Sequence, residues 1–240
     1  MNGMRPRADR ARQVAEVLRR QVAAGGFASG VLPDERSLIA DFGATRNAVR
    51  EALRMLCDEG LVERRRGIGT VVVARSYGHG LGRLAGLAET LHEHGTIRNE
   101  VREARTVRAP GAVSARLGLP DGAEVVYLER LRHLNARPLS LDLTYLAPDI
   151  GRPLLAADLA NRDVFALIEE QTGVPLRAAD VAIQAVTADD PTAAALGTAP
   201  GAALLAIERL SHLSDGRPVD LEYLRIRGDR LTLHAELPRT

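Results

Sequence analysis

The sequence contains no lysine, a single cysteine and no long apolar run. Each of these absences excludes something. One cysteine, Cys57, rules out an intramolecular disulfide, and its setting among Leu53, Leu56 and Leu61 predicts a small buried residue rather than a reactive thiol. No stretch approaches the roughly 18 apolar residues that a membrane-spanning helix needs. The basic N-terminus, MNGMRPRADRAR, leads into an amphipathic segment rather than an apolar one, so it does not read as a signal peptide, and a cytoplasmic protein with no membrane partner is expected. Because all 32 basic residues are arginine, arginine richness reads as coding bias and argues little by itself for phosphate recognition. The histidines, His79, His92, His94, His133, His212 and His234, lack the spacing of metal ligands. No nucleophile and base pairing or phosphate-cradling loop stands out either, so no catalytic residue, metal or cofactor is expected.

What is present is unevenly distributed. Of 240 residues, the first 75 hold 14 arginines against 9 acidic residues, whereas the remaining 165 hold 18 against 22. A basic first part on an acidic second part suits a polyanionic partner for the first only. The length and the 45% hydrophobic content allow two packed domains.

The periodicity predicts a first helix over about Ala8 to Ala24, with Ala11, Ala15, Leu18 and Val22 on its buried face and Gly25-Gly26 ending it. A second short helix follows Pro33, with Asp34 as N-cap, Leu38, Ile39 and Phe42 inward and Gly43 as stop. Thr45 then caps a third helix through Glu59, whose inward residues are Val49, Ala52, Leu53 and Leu56. This is a helix-turn-helix pattern. Two short strands, Leu61 to Glu63 and Thr70 to Val73, flank Arg64-Arg65-Arg66-Gly67-Ile68-Gly69, a hairpin with a basic, glycine-rich tip that suits a phosphate backbone or a minor groove. Glycines 78, 80, 82 and 86 loosen the next stretch, which reads as an interdomain linker before a helical segment around Leu84 to His94.

The second half carries an internal duplication. Ala115 to Asn135 matches Ala194 to Ser214 at a constant offset of 79, with ten of 21 positions identical. After a one-residue turn insertion the offset becomes 80, so that Arg137-Pro138 meets Arg217-Pro218. Each copy reads as a short helix, a strand with the core Glu-Arg-Leu, a polar turn and a returning strand. Two copies predict four antiparallel strands plus helices in one α+β domain of pseudo-twofold character. Between them, Asp163 to Thr172 is a helix capped by Asp163 and closed by Gly173.

Reading DNA requires a helix in the major groove, side chains near its N-terminus that reach base edges, and phosphate contacts that fix its register. Arg46, Asn47 and Arg50 occupy the exposed first turns of the third helix, and Arg36 on the second is placed for phosphate; Arg54 has at most a supporting role. The runs LPDER, FGATRNAVREAL and DEGLVERRRGIGTVV resemble the winged helix-turn-helix of GntR-family bacterial transcription regulators over about 65 residues. The resemblance implies operator contacts by Arg36, Arg46, Asn47, Arg50, Gly67 and Gly69, with Thr45 and Arg66 beside them in the same surface. Asn47 stands where a hydroxyl residue is frequent, which affects operator sequence rather than binding.

From about residue 83 to 237 the chain resembles the ligand-sensing UTRA domain of the HutC subfamily, which shares the chorismate lyase fold. The residues that carry this are LERLRHLNARPLSLDLTYL and GRPVDLEYLRIRGDR. The resemblance implies an effector pocket lined by Arg130, Arg132 and Asp142, and the two arginines, two apart on one strand, share a face suited to an anion. This chain departs from the pattern at Gly86 and Asp163, where hydroxyls are usual, and at Ile226 in place of a tyrosine; the acid near the C-terminus falls at Asp220, with Glu222 close by. A carboxylate at the N-terminus of the middle helix would repel a phosphate. An anionic or zwitterionic effector is therefore expected, with an amine-bearing one favoured by Asp142, Asp163, Asp220 and Glu222.

These readings predict an α+β protein with a winged helix-turn-helix over 1–75, a linker over 76–95 and an antiparallel-sheet effector-binding and dimerisation domain over 96–240. The function expected is an effector-responsive regulator, a repressor, binding palindromic operator DNA as a homodimer. Two rivals are a lyase-like enzyme in the second domain, which rests on fold analogy alone, and a constitutive DNA binder, which leaves the acidic second part without a role.

Overall fold

The computed structural model describes residues 5–73 and 77–237, with side chains from Arg10 onward. It divides into two compact units, Met1–Gly78 and His79–Thr240.

The first unit comprises α1 (Arg5–Ala23), α2 (Glu35–Phe42), α3 (Arg46–Asp58), β1 (Val62–Arg65) and β2 (Gly69–Val72). Asp34 caps α2 by accepting from the Ser37 N–H at 2.7 Å, and Thr45 caps α3 by accepting from the Ala48 N–H at 3.3 Å. Gly43 adopts a left-handed φ of 53°, which ends α2 and lets only Ala44 and Thr45 separate it from α3. Val14, Leu18, Leu38, Val49, Leu53, Leu56 and Val62 form one core. Each of these side chains contributes about 1.5–3 kcal/mol by leaving water. Ile39 and Phe42, predicted inward, are half-buried at its edge. Cys57 is also half-buried rather than enclosed, because it packs on this core from one side and lines an open cleft with Asn47, Arg50 and Arg64 on the other.

The second unit is built on a six-stranded antiparallel sheet in the order β4-β5-β6-β9-β8-β7, comprising β4 (Ile97–Arg108), β5 (Glu124–Leu134), β6 (Arg137–Leu146), β7 (Leu176–Thr187), β8 (Ala203–Leu213) and β9 (Pro218–Arg227). Short strands β3 (Tyr77–Gly80) and β10 (Leu231–His234) pair separately. The sheet has six strands where four were predicted. The additional ones, β4 and β7, are the two edges; most of their side chains stay in solvent, so neither shows the apolar alternation that marks a half-buried strand. They nevertheless begin 79 residues apart, so the duplication extends to them.

The copies meet where β6 pairs with β9, with Leu143 opposite Tyr223. Both copies carry the same irregularity, between Arg132 and His133 and between Ser211 and His212. Their helices exchange places across this seam: Val113 and Leu117 of α5 (Gly111–Arg116) and the residue after it pack with Leu221 of β9, while Ala193 and Leu196 of α8 (Asp190–Leu196) pack with Leu141 of β6. The opposite face is covered on the first-copy side by α6 (Pro148–Leu154) and α7 (Val164–Thr172), whose Ile150, Leu154, Leu167 and Ile168 pack on Val126, Leu128 and Leu146.

The segment expected to be a linker starts outside the described residues, at 74–76. Its later part is core: Ala85, Leu87 and Leu91 are buried around α4 (Leu87–Leu91), which continues into a 3-10 turn at His92–His94. Glycines there do not signal looseness throughout. At Gly86 a Cβ would stand 2.3 Å from the Asp163 carboxylate, so this glycine marks a close approach.

Gly151 marks another, since a Cβ there would lie 2.6 Å from the Val126 Cβ and 2.9 Å from that of Leu146. Gly151→Ala is expected to overpack the α6–sheet contact and destabilise the second unit by about 1–3 kcal/mol. Calorimetry of the full chain should show the affected unfolding transition moving to lower temperature.

Candidate functional site

The first unit presents a polar surface on α3 and the β1–β2 wing. Thr45, Arg46, Asn47 and Arg50 are exposed on the first turns of α3, and Arg36 is exposed on α2. No ion pair among the described residues engages Arg36, Arg46 or Arg66, so these guanidiniums are available to an external partner. Arg50 instead shares Glu35 with Arg64, at 3.8 and 3.2 Å. Glu35 thereby ties the helix to the wing. Arg64, absent from the predicted set, lines an open cleft with Asn47 and Arg50. Strand alternation carries the signal for it, because Arg64 shares a face with the buried Val62 and so points back toward the helices. Arg54 is held by Glu51 and Asp58 on its own helix. At the wing tip, Gly67 and Gly69 take φ values of 80° and 116°, and Ile68 is 59% exposed between them.

In the second unit the sheet face under α7 and α4 carries a buried charged cluster. Arg130 and Arg132 on β5, Asp142 on β6 and Asp220 and Glu222 on β9 are all buried. Arg132 donates from Nε and Nη2 to Asp142 Oδ2 at 3.1 and 2.7 Å. The ion pair formed in the second copy is Arg209 with Glu222: Nε donates to Oε2 at 2.9 Å, Nη2 donates to the same oxygen, and the guanidinium lies 4.3 Å from the Phe165 ring centre. Arg130 has no carboxylate partner; its Nη1 reaches the Arg162 carbonyl at 3.4 Å and its Nε has no partner among the described residues.

Burial, and then Arg132 beside it, lowers the Arg130 pKa, although a guanidinium stays protonated. Burial opposes the charge on Arg132 and Arg209 too, but Asp142 and Glu222 respectively outweigh it and their pKa values rise. Asp142 is held below the usual carboxylate range, because Arg132 and Arg130 overcome its own desolvation. Asp220 goes the other way: burial first, and Glu222 second, hold its carboxyl well above that range. Asp163, half-buried, caps α7 through Phe165 N–H at 3.0 Å and also accepts from Ala88 N–H at 3.3 Å.

Beside this cluster lies a cavity of about 380 Å³ between the 79–87 segment and strands β7, β8 and β9. Its walls include His79, Ala85, Leu87, Ile207, Leu224 and Ile226, with exposed Arg83 and Arg177 at its edge. Arg209 joins it to the cluster. Burial lowers the His79 pKa, with Arg209 and Arg83 adding to the effect. Among the described residues no His, Cys, Asp and Glu group converges as a metal site, and no helix is long and apolar enough to cross a membrane.

Comparison with known proteins assigns both units. Residues 10–72 match the bacterial regulatory proteins of the gntR family, and residues 92–232 match the UTRA domain. The chain is 34% identical over 236 residues to the HTH-type transcriptional regulator Rv0792c of Mycobacterium tuberculosis, covering 95% of this chain and 86% of the relative. It is 26% identical over 222 residues to the HTH-type transcriptional repressor NagR of Bacillus subtilis, covering 92% and 91%. The crystal structure of PhnF from Mycobacterium smegmatis superposes with a TM-score of 0.69 at 26% identity, covering 95% of this chain and all of that one. The chain belongs to the GntR family of transcriptional regulators. Its GntR helix-turn-helix and UTRA architecture fits the HutC subfamily, and the α+β fold is the one that architecture implies.

The regulator thus combines a DNA-binding unit with an effector-binding one. Of the six residues expected to contact effector, Arg130, Arg132, Asp142, Asp220 and Glu222 cluster under the helices and Asp163 caps α7 above them, yet none lines the cavity wall. Of the lining arginines Arg83, Arg177 and Arg209, the one that also pairs into the cluster is Arg209, which sequence reasoning missed. Its signal was the duplication, since the offset of 79 carries Arg130 onto Arg209.

The raised pKa of Asp220 has a defined consequence. A proton favoured in the folded state stabilises fully below the unfolded value of about 3.9, and that contribution is lost as pH rises through the folded value. Asp220→Asn is expected to remove this loss, so its stability should gain on wild type as pH increases above about 4. Urea denaturation of both proteins across that range checks the divergence; parallel profiles would contradict it.

Proposed function

We propose that this regulator is a cytoplasmic repressor that binds a palindromic operator as a homodimer and changes its operator affinity when a small metabolite seats in the UTRA unit. Residues 1–75 serve as the DNA-binding domain, and the second unit, with the 79–95 segment packed into it and forming one wall of its cavity, binds effector and dimerises. The observation that carries the reading is the exposed set Arg46, Asn47 and Arg50 on the first turns of α3, next to a wing with Arg66 at its tip. Arginine can take guanine bidentately and asparagine can take adenine, while Arg36, Arg66 and the wing backbone suit phosphates. Thr45 holds the N-terminus of α3 at the groove by capping it. Twofold pairing of two such units reads two half-sites. Support for repression comes from NagR, a relative named as a repressor.

The effector seat proposed is the cavity together with Arg130, Arg132, Asp142, Asp163, Asp220 and Glu222, which set the field beneath it. A ligand there alters DNA binding only through unequal affinity for the two arrangements of the dimer.

Gel-shift titration against the promoter region of the regulator's own gene tests the DNA reading. Arg46→Ala should weaken specific binding by about 1–3 kcal/mol, roughly fivefold to 150-fold, while leaving nonspecific binding closer to wild type. A wild-type protein with no sequence preference would sink the proposal.

A further inference from the structure

Asp163 stands at the centre of an anion seat. One carboxylate oxygen accepts from the Phe165 N–H on the first turn of α7, and the other accepts from the Ala88 N–H. Its negative charge is felt by Arg130, Arg132 and Arg209, the three guanidiniums of the cluster. Backbone N–H groups at a helix start, combined with buried guanidiniums, form a site for an anion. Here the side chain of Asp163 fills it. Gly86 makes room for that carboxylate, because any Cβ at this position would meet both oxygens and the carboxyl carbon within 2.3–2.5 Å. The two residues are one device: the missing side chain at 86 admits the added charge at 163.

Two of the three guanidiniums are answered by direct pairs. Arg132 has Asp142, and Arg209 has Glu222. Arg130, 1% exposed and with an unpartnered Nε, is the guanidinium that takes its counter-charge from the field of Asp142, Glu222 and Asp163 rather than from a direct pair. A ligand that brought its own phosphate would have to share this seat with a fixed carboxylate, and like charges at such separations repel. The adjoining cavity is of small-molecule size, and the greater part of its wall is apolar, including Leu87, Ile207, Leu224 and Ile226. Arg83 at its edge is already paired to Glu89, and Arg177 is solvent-exposed, where an ion pair contributes little.

We propose that the Asp163 carboxylate is the resident anion of the sensor, and that the regulator therefore responds to an uncharged, largely apolar small molecule in the cavity rather than to a phosphate-bearing one. This rests on the effector reading above. It departs from the zwitterionic effector expected from sequence, because Asp142 and Glu222 are paired with Arg132 and Arg209, Asp163 caps α7, and burial holds the Asp220 carboxyl toward its neutral form.

The test uses the full-length protein. Inorganic phosphate is titrated by calorimetry into wild type, Asp163→Ser and the double variant Asp163→Ser with Arg130→Met. Serine keeps the N-cap, so α7 retains its start. Any phosphate binding at the DNA-binding unit is common to all three and cancels. In parallel, wild type and Leu224→Glu are titrated with N-phenyl-1-naphthylamine, an uncharged probe whose fluorescence rises in apolar surroundings. Asp163→Ser is expected to bind phosphate about tenfold or more tightly than wild type, as befits charge-assisted hydrogen bonds gained, and Arg130→Met should abolish the gain. Wild type should take up the probe saturably and Leu224→Glu should not. Equal phosphate affinity in wild type and Asp163→Ser would overturn the resident-anion assignment while leaving an effector site intact. A gain of phosphate binding without saturable probe uptake would instead overturn the ligand class and the effector cavity with it.

Discussion

The antiparallel pairing of β6 with β9 is the interaction on which the sensor depends. It joins the duplicated halves into one sheet and places Asp142, Thr144, Glu222 and Leu224 on a single face. Each half alone would be a three-stranded sheet with an unpaired interior edge and an uncovered apolar face. Joined, each half lends its short helix to the other, as α5 packs with β9 and α8 with β6. The same ladder brings Arg132–Asp142 of one copy and Arg209–Glu222 of the other under one roof of helices.

Concentrating these charges out of water is costly; two direct pairs, Arg132–Asp142 and Arg209–Glu222, offset part of that cost, and burial holds Asp220 toward its neutral form. Duplication supplied each copy with an arginine and an acid, Arg130 and Asp142 in the first and Arg209 and Glu222 in the second, and divergence then made the copies unequal: Arg132 corresponds to Ser211, and Ser140 to Asp220. The second copy therefore has one guanidinium and two acids, the first two guanidiniums and one acid. That asymmetry gives the sheet face a direction, with Arg130 toward α7 and the cavity on the side of the second copy. Asp163, contributed by the insertion between the copies, is where the insertion, the 79–95 segment and the cluster come together.

The DNA-binding unit follows a simpler logic. Its helices bury one face each, their caps are local, and the polar face of α3 is whatever the core does not use. Periodicity therefore revealed α2, α3, the Thr45 cap and the exposed Arg46, Asn47 and Arg50. The relation of Arg50 to Arg64 through Glu35 was hidden, since it joins residues 29 and 15 positions apart from Glu35 across three elements. Sequence reading of the sensor stopped at a similar boundary. It recovered β5, β6, β8 and β9, both their turns and the capped α7 from repetition and alternation, but it passed over β4 and β7, whose exposed edges carry no alternation.

By itself, the sequence determined the architecture: a basic winged helix-turn-helix followed by a duplicated α+β sensor, while Arg130, Arg132, Asp142, Asp220 and Glu222 were singled out by resemblance to the UTRA domain. That architecture depends on spacing along each element, which residue order states directly. Tertiary structure alone decided which charges meet. That Asp163 reaches Ala88, that Gly86 exists to admit it, and that Arg209 rather than Arg130 faces the cavity all follow from segments far apart in the chain folding over the same face. Desolvated charges interact through distance in space, and no periodicity in the sequence encodes it.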